Sequence, residues 1–357
     1  MRFLASLVVA LVCSSGTALA TDPTLVGLAE PSANMIMSLN FAAMRNWPGA
    51  ANAFQQGGNS NPQWAELVQT LGVDPFELVD EFLMAATVDN LSSNAKFNDA
   101  TVLFKGRFDV AHLTGLICRQ GCTPQPVGAF TFLPLPRNDS DARPPGGIVF
   151  FDSSYGAIGS LEDVRRTARR FPIAASPQLN PAMAGWVDNL SNYDLWIAAS
   201  GPFNRLPADE AGAMDPMAAG AISKIAAFGV GIGVSNNVDI ALQVLSNNEG
   251  DANQLREMAQ GLIALATLNA DPQQPGLSEF IKRIQLSQKG NLVLASMSVP
   301  QEDLDQAMQQ AGGVPGGGAV AAMGGEASSP EPARDGGIII VGGEQPPERV
   351  RLKRSNR

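Results

Sequence analysis

The residue types that most often carry catalysis are sparse in this chain of 357 residues. His112 is the only histidine, so sites built from several histidines are excluded and a Ser-His-Asp triad has a single candidate. No Gly-x-Ser-x-Gly turn is present to supply a nucleophile. The carboxylates Glu77, Asp80 and Glu81 lie close together, but they suit the outer face of a predicted helix. The sequence therefore assigns no catalytic residue, no metal site and no cofactor.

Two cysteines, Cys118 and Cys122, bracket Arg119-Gln120-Gly121. We predict that they form a disulfide, because two cysteines in an oxidising compartment usually pair. Closing so short a loop restricts the unfolded chain little, so the bond would hold one turn and not the whole fold. Free thiols and a reactive pair are the alternatives. Redox pairs usually enclose two residues, however, and zinc needs four ligands.

A glycine-rich run covers residues 229–233, where Gly229, Gly231 and Gly233 alternate with Val and Ile. A dinucleotide fingerprint requires a further glycine where Val234 stands, and no phosphate-loop Gly-Lys pair follows. The alternation instead predicts a strand with one bare face, against which another element packs closely. We expect that element to be the long helix that begins near Asp251.

Four arginines recur along one predicted helix, on the side opposite its apolar residues: Arg165, Arg166, Arg169 and Arg170. Such a cluster could bind an anion or an acidic partner. A solvated helix face is the alternative, since Glu162 and Asp163 lie one turn away.

The N-terminus has the three parts of a secretory signal. Arg2 supplies the charge, residues 3–12 are apolar, and Ala18-Leu19-Ala20 is the small-x-small pattern that precedes cleavage. The apolar run is shorter than the roughly 20 residues that a membrane span needs. We therefore expect residues 1–20 to be removed, no transmembrane span to remain, and the mature chain to be periplasmic or extracellular.

Charge is distributed unevenly along the chain. The net charge is −10, while the last nine residues carry +5, which leaves about −15 for the rest. An acidic body repels phosphate backbones, so we expect no nucleic-acid partner.

The composition changes after residue 311 to Gly, Ala, Pro and Ser, which predicts a disordered tail over residues 312–357. Ile338, Ile339, Ile340 and Val341 interrupt it, and four β-branched residues in a row favour an extended strand. This segment is either an apolar patch in a flexible tail or a strand that joins the edge of a sheet. The basic end could then contact an acidic or anionic surface through Arg349, Arg351, Lys353 and Arg354.

Residues 21–311 suggest an internal duplication, with units at residues 21–190 and 191–311. In each unit a first strand and a helical segment precede a β-β-α-β-β-α order. Asp109 and Asp251, 142 residues apart, each suit a helix N-cap, and Glu162-Asp163-Val164 matches Glu302-Asp303-Leu304, 140 residues apart. Hairpins dominate this order, so we predict an α+β fold with mainly antiparallel sheets and helices packed on one face.

A strand at residues 148–151, a short segment at 155–159 and a helix start at 160–166 together resemble the DUF3352-like group of secreted bacterial proteins of unknown function. The resemblance implies a duplicated α+β protein behind a signal peptide or membrane anchor. It transfers no catalytic residue, and this chain departs from anchored members in lacking a retained span.

These features favour a non-catalytic extracytoplasmic module that binds a protein, peptide or envelope component. A secreted hydrolase whose site is assembled from dispersed polar residues is the first alternative, and a carrier of an apolar ligand between sheet and long helix is the second. An enzyme should bring titratable groups with shifted pKa values together in a concave site. A binding module should expose an apolar surface or an open sheet edge.

Overall fold

The computed structural model describes residues 21–45, 47, 68, 74–88, 97–119, 121–135, 146–172, 179–201, 216–235, 237–268 and 275–303. These residues fall in a compact unit, Met1–Pro315, and a second unit, Gly316–Arg357, lies outside the described residues.

Within the described residues, twelve strands form the sheet: β1 (Met35–Asn40), β2 (Val79–Val88), β3 (Phe97–Gly106), β4 (Gln125–Val127), β5 (Phe130–Pro134), β6 (Gly146–Phe150), β7 (Tyr155–Ser160), β8 (Leu195–Ser200), β9 (Ile225–Val234), β10 (Asn237–Ser246), β11 (Gln285–Lys289) and β12 (Leu292–Pro300). Their order across the sheet is β11-β12-β10-β9-β8-β1-β2-β3-β7-β6-β5-β4. Every neighbouring pair is antiparallel. The predicted α+β fold with mainly antiparallel pairing is confirmed.

The described helices are α1 (Pro23–Leu28), α2 (Phe41–Arg45), α3 (Pro75–Leu78), α4 (Val110–Cys118), α5 (Leu161–Ala168), α6 (Pro181–Leu190), α7 (Pro216–Ile222), α8 (Glu249–Leu268) and α9 (Pro275–Lys282). Short polar side chains cap several of them, as their sequences predict. Ser160 accepts a hydrogen bond from the Asp163 N–H, and Asp109 accepts one from the His112 N–H. The predicted cap at Asp251 is wrong, because α8 begins two residues earlier and the Asn248 side chain accepts from the Asp251 N–H.

Strand order is the same on both sides of the central β1–β8 pair. Outward from β1 the sheet continues through β2, β3, β7 and β6; outward from β8 it continues through β9, β10, β12 and β11. β3 and β10 begin at residues 97 and 237, 140 residues apart, and α4 and α8 follow them at the same point in each half. The halves differ at the outer end, where β5 and β4 extend the sheet beyond β6 and β11 ends it.

Helices cover both faces of this sheet. Leu103 belongs to a core cluster with residues of α1, α5 and α6, whereas its neighbour Phe104 packs in a cluster with Leu113 of α4. Because consecutive strand residues point to opposite faces, these clusters lie on opposite sides. We name them the Trp196 face, after a buried residue of the first cluster, and the Phe104 face.

The prediction that helices pack on one face is therefore wrong. The physical reason lies in the strands themselves, where apolar residues occupy consecutive positions. Leu83 and Ala85 of β2 are buried on one face, and Ala86 and Val88 on the other. A strand buried on both sides needs helices on both sides.

Glycines with a positive φ lie at two hairpin turns of the sheet. Gly128 has a φ of 61°, a conformation that glycine adopts readily, and it separates β4 from β5. Gly290, at a φ of 59°, lies in the turn between β11 and β12.

Candidate functional site

A polar cluster lies where the segment before α1 meets the Trp196 face of the sheet. The Asp22 N–H lies 2.9 Å from both carboxylate oxygens of Glu81, which is a residue of β2 with 5% of its surface exposed. The Asp22 side chain in turn accepts from the Thr24 N–H at 2.7 Å and caps α1, whose first residue is Pro23. Backbone and side chain of Asp22 thus both hold the chain at this point.

Two further polar side chains converge on Asp22 from neighbouring strands. Lys105 Nζ of β3 donates to Asp22 Oδ2 at 2.7 Å, and the Tyr155 hydroxyl of β7 donates to the same oxygen at 3.2 Å. The register explains the convergence, since Glu81 pairs with Lys105 and Lys105 pairs with Tyr155 across the ladder.

Thr21 connects this cluster to the centre of the sheet. Its Oγ accepts a hydrogen bond from the indole N–H of Trp196 at 2.7 Å and lies 3.3 Å from the Ser38 hydroxyl. The Ser38 hydroxyl also donates to Glu81 Oε1 at 3.4 Å, and the Thr21 N–H donates to the Ser191 carbonyl at 3.0 Å. Thr21, Ser38 and Trp196 are each about 1% exposed, so this network is internal.

Burial and charge set the protonation of the cluster. Burial raises the pKa of Glu81 to about 7, and the nearby negative charge of Asp22 adds to this effect. Burial also opposes ionisation of Asp22, but the hydrogen bonds from Lys105 and from the Thr24 N–H outweigh it and lower the pKa of Asp22. The hydrogen bond to Asp22 raises the pKa of Lys105, so the Asp22–Lys105 pair is charged at neutral pH while Glu81 is close to half protonated.

A carboxyl group with a pKa near 7 beside a lysine and a tyrosine is one signature of acid–base catalysis. In this cluster, however, the groups are engaged by the chain's own N-terminal segment. Both Glu81 oxygens face the Asp22 N–H, and Lys105 and Tyr155 both bind the Asp22 carboxylate. The arrangement therefore anchors residues 21–28 to five strands.

Sequence reasoning missed this cluster. The interpretation of Glu81 as an outer-face helical residue is wrong, because α3 ends at Leu78 and β2 begins at Val79. A local signal existed: Glu81, Leu83 and Ala85 alternate, which places Glu81 on the buried side of a strand. No comparable signal pairs Asp22 with Lys105, since 83 positions separate them.

A second candidate site is the exposed apolar half of α8. Leu262 and Leu265 are each 56% exposed and Leu268 is 81% exposed, while Ala252 is the residue of this helix classed as buried. Residues 258–268 contain no charged side chain. The long helix predicted to begin near Asp251 is confirmed, and Leu262 and Ala266 in its C-terminal half are exposed. Isolated exposed leucines are ordinary, whereas three in an uncharged stretch are typical of a contact surface.

α8 lies on the Phe104 face at the outer end of the second half. It packs against β10, β11, β12 and α9, and Arg256 Nε donates to the Gln288 side chain of β11 at 3.0 Å. Across the sheet, Gln288 of β11 pairs with Val293, Val293 with Val244, and Val244 with Phe228, so these side chains point to one face. Phe228 packs in the cluster that contains Ala86, which places α8 on the Phe104 face.

The bare glycine face contacts a different helix from the one predicted. A Cβ added to Gly229 would lie 2.6 Å from Leu190 Cδ1 and 2.8 Å from Trp186 Cε3, both residues of α6. The predicted strand is confirmed as β9, and the expectation that α8 covers these glycines is wrong.

The four arginines of the candidate anion patch divide into two pairs. Arg166 binds Asp163, Asp99 and Glu162, and both Arg166 and Arg170 approach Glu30, at 3.5 and 3.1 Å. Arg165 and Arg169 are exposed. The structure therefore gives two of the four a role inside the fold and leaves two facing solvent.

Cys118 and Cys122 form the predicted disulfide, with their Cα atoms 4.6 Å apart at the end of α4. His112 lies in the first turn of α4, where its side chain is exposed. The tail residues singled out for partner binding, Ile338 to Val341 and the basic residues from Arg349 onward, lie outside the described residues.

Within the described residues, no three His, Cys, Asp or Glu side chains are grouped so that they could hold a metal ion. In the same residues, no helix combines the length and apolar character that crossing a membrane requires.

No protein-family model matches this chain, and no curated protein matches it. The crystal structure of TP0453, in its crystal form I, is similar to 81% of this chain over 97% of its own length. The TM-score is 0.42 and the sequence identity is 10%. A similarity of this extent supports no conclusion about function.

Proposed function

We propose that this chain is an exported, non-catalytic module that binds a protein, peptide or envelope component outside the cytoplasm, and that the C-terminal half of α8 is its contact surface. The observation that carries the proposal is the exposure of Leu262, Leu265 and Leu268 on an uncharged stretch of an otherwise acidic chain. Removing one leucine side chain from water is worth about 2 kcal/mol, so a partner that covers three would gain substantially.

The secreted hydrolase remains the second candidate, because Glu81, Lys105 and Tyr155 form a cluster with shifted pKa values. A hydrolase must bring such groups to a substrate. In this fold they face Asp22 instead, and Glu81 is almost fully buried. The cluster thus favours an anchoring role over a catalytic one.

Export is supported by the three-part signal of residues 1–20 and by the position of Thr21. Cleavage after Ala20 leaves a chain whose first residues, Thr21 and Asp22, are already built into the polar network. The mature protein would therefore retain the complete anchor. An oxidising compartment beyond the inner membrane would also suit the Cys118–Cys122 disulfide.

The duplication and the resemblance to the DUF3352-like group are part of the same proposal. The matching strand order on both sides of β1–β8 and the 140-residue spacing of β3 and β10 support two related units that share one sheet. We assign the tail a secondary role in binding through Ile338 to Val341 and its basic end.

Site-specific photo-crosslinking tests the contact surface. A photoreactive phenylalanine analogue at Leu265 should give an adduct of defined mass in the envelope of the source organism. The same analogue at Arg165, which is exposed on α5 and on the other face, is the matched control and should give none.

Adding Leu262→Glu to the Leu265 crosslinking variant should abolish the adduct, because a carboxylate would have to be buried against the partner. Equal adducts at both positions, or an adduct that survives Leu262→Glu, would show that α8 is not the contact surface. Deleting residues 312–357 then tells whether the tail contributes, since the adduct yield should fall only if it does.

A further inference from the structure

The two outer ends of the sheet are protected to different degrees. β4 is three residues long and has Pro126 at its centre, which cannot donate to a further strand. β11 is five residues long, contains no proline, and is the terminal strand on its side among the residues that the structure describes. Its outward backbone groups can pair with another strand.

The equivalent position in the first half indicates what such pairing achieves. β6 corresponds to β11 in the strand order, and β6 is followed by β5 and β4. α4, which corresponds to α8, packs against β5, and its residues Leu113 and Ile117 are 5% and 1% exposed. Where the sheet continues, these two apolar residues of the covering helix are buried; where the described sheet ends at β11, the leucines of α8 are exposed.

We propose that β11 pairs antiparallel with β11 of a second copy of this chain, so that the two sheets join and the two α8 helices meet beside the joint. This inference rests on the proposed function in taking the apolar half of α8 as a contact surface, and it names the occupant. A two-fold axis normal to the sheet keeps both α8 helices on the same face, because it preserves the faces of both sheets.

The residues of β11 and α8 are compatible with contact between identical copies. With the axis at Ser287, Ser287 lies opposite its own copy and Gln285 lies opposite Lys289, so no like charges face each other. The chain is strongly acidic, but residues 258–268 are uncharged and Lys289 is the charged residue of β11. The acidic bodies can therefore approach at this edge with little repulsion.

The surface area that a stable dimer must bury requires both β11 and α8 in the interface. A stable interface buries about 1,200 to 2,000 Å² in total, which a five-residue ladder does not reach alone. α8 is 20 residues long, or about 30 Å. Two such helices side by side, added to the ladder, provide an interface of the required order.

The oligomeric state of the purified chain, beginning at Thr21, tests the inference without any other component. Sedimentation velocity should show a dimer that dissociates on dilution. Leu265→Glu with Leu268→Glu should weaken dimerisation at least tenfold, whereas Gln260→Glu should leave it unchanged. Gln260 is exposed and lies about 140° around the axis of α8 from Leu265, so this control adds charge to the same helix without replacing a leucine.

Cysteine crosslinking locates the axis. Ser287→Cys should form an intermolecular disulfide under mild oxidation, because a residue on the axis lies about 5 Å from its copy. Gln285→Cys should not, since four ladder positions separate it from its own copy, roughly 13 Å along the strand. Cys118 and Cys122 are already paired and do not compete.

A monomer at every accessible concentration would overturn the inference, as would a dimer that resists the leucine substitutions and crosslinks equally at both positions. A monomer that still gives the Leu265 adduct in the envelope would keep the proposed function and assign the surface to a different partner. Loss of that adduct while the dimer persists would keep the inferred dimer and contradict the proposed binding of an envelope partner.

Discussion

At the scale of single residues, Glu81 has the strongest consequence for the stability of the fold. Its pKa rises from an ordinary value of 4.5 to about 7 in the folded protein. Between these values the folded chain retains a proton that the unfolded chain has released. The free energy of unfolding therefore falls as pH rises from about 4.5 to 7 and levels off above, by roughly 3 kcal/mol in all.

We expect Glu81→Gln to remove most of this dependence, because the amide does not titrate. Urea unfolding of both proteins at pH 5, 6, 7 and 8 measures the effect. Glu162→Gln is the matched control, since the Glu162 side chain is 80% exposed on α5. Parallel pH profiles for the wild type and Glu81→Gln would show that the carboxyl of Glu81 is not the titrating group.

Residue-scale prediction from sequence succeeded where the signal was local. The helix start at Ser160 and the Cys118–Cys122 pair each depend on residues within a few positions. The polar anchor depends on Asp22, Glu81 and Lys105, which tertiary structure brings together over more than 50 positions. Charge patterns in the sequence carry no such information, and Glu81 was placed on the wrong element as well.

At the scale of elements, β9 and α6 lie so close together at Gly229 that no side chain fits between them. A Cβ at Gly229 would meet Leu190 and Trp186 at less than 3 Å, so we expect Gly229→Ala to destabilise the protein by about 1 to 3 kcal/mol. Gly261→Ala is the matched control, because Gly261 lies in the middle of α8 with nothing near its Cβ position. There the same change should stabilise the protein by up to about 1 kcal/mol.

Thermal or urea unfolding of the two alanine variants measures both effects. Equal changes in the free energy of unfolding would mean that β9 and α6 separate enough to accept a methyl group, which would contradict the close contact.

Element-scale prediction recovered the order of strands and helices but not their partners. Alternating glycines predicted the strand β9, and the long helix expected near Asp251 is α8. We expected α8 to pack against the bare face of β9, whereas the structure leaves Leu262, Leu265 and Leu268 of α8 exposed. The periodicity of apolar residues indicates that one face of a helix is apolar. It does not indicate which element covers that face, or whether a second molecule covers it.

At the scale of the whole molecule, the described halves share one core. The largest core cluster contains Leu103 and Val164 from the first half together with Trp196 and Ala227 from the second. β1 and β8 pair directly at the centre of the sheet. A sequence interpretation as two units is compatible with two independent domains, but a shared sheet and core require the halves to unfold together.

We therefore expect a single cooperative transition for the mature chain. Leu103→Ala in β3 removes a fully buried side chain from the first half and should cost about 2 to 5 kcal/mol, and Val238→Ala in β10 should cost somewhat less in the second half. In each variant the unfolding midpoint measured by far-UV circular dichroism should equal the midpoint measured by tryptophan fluorescence, because Trp186 and Trp196 pack in the shared core. Independent units would instead give two transitions, with Val238→Ala moving one and leaving the other in place. That result would contradict the single core and would leave the β1–β8 pair as a weak contact between separately stable domains.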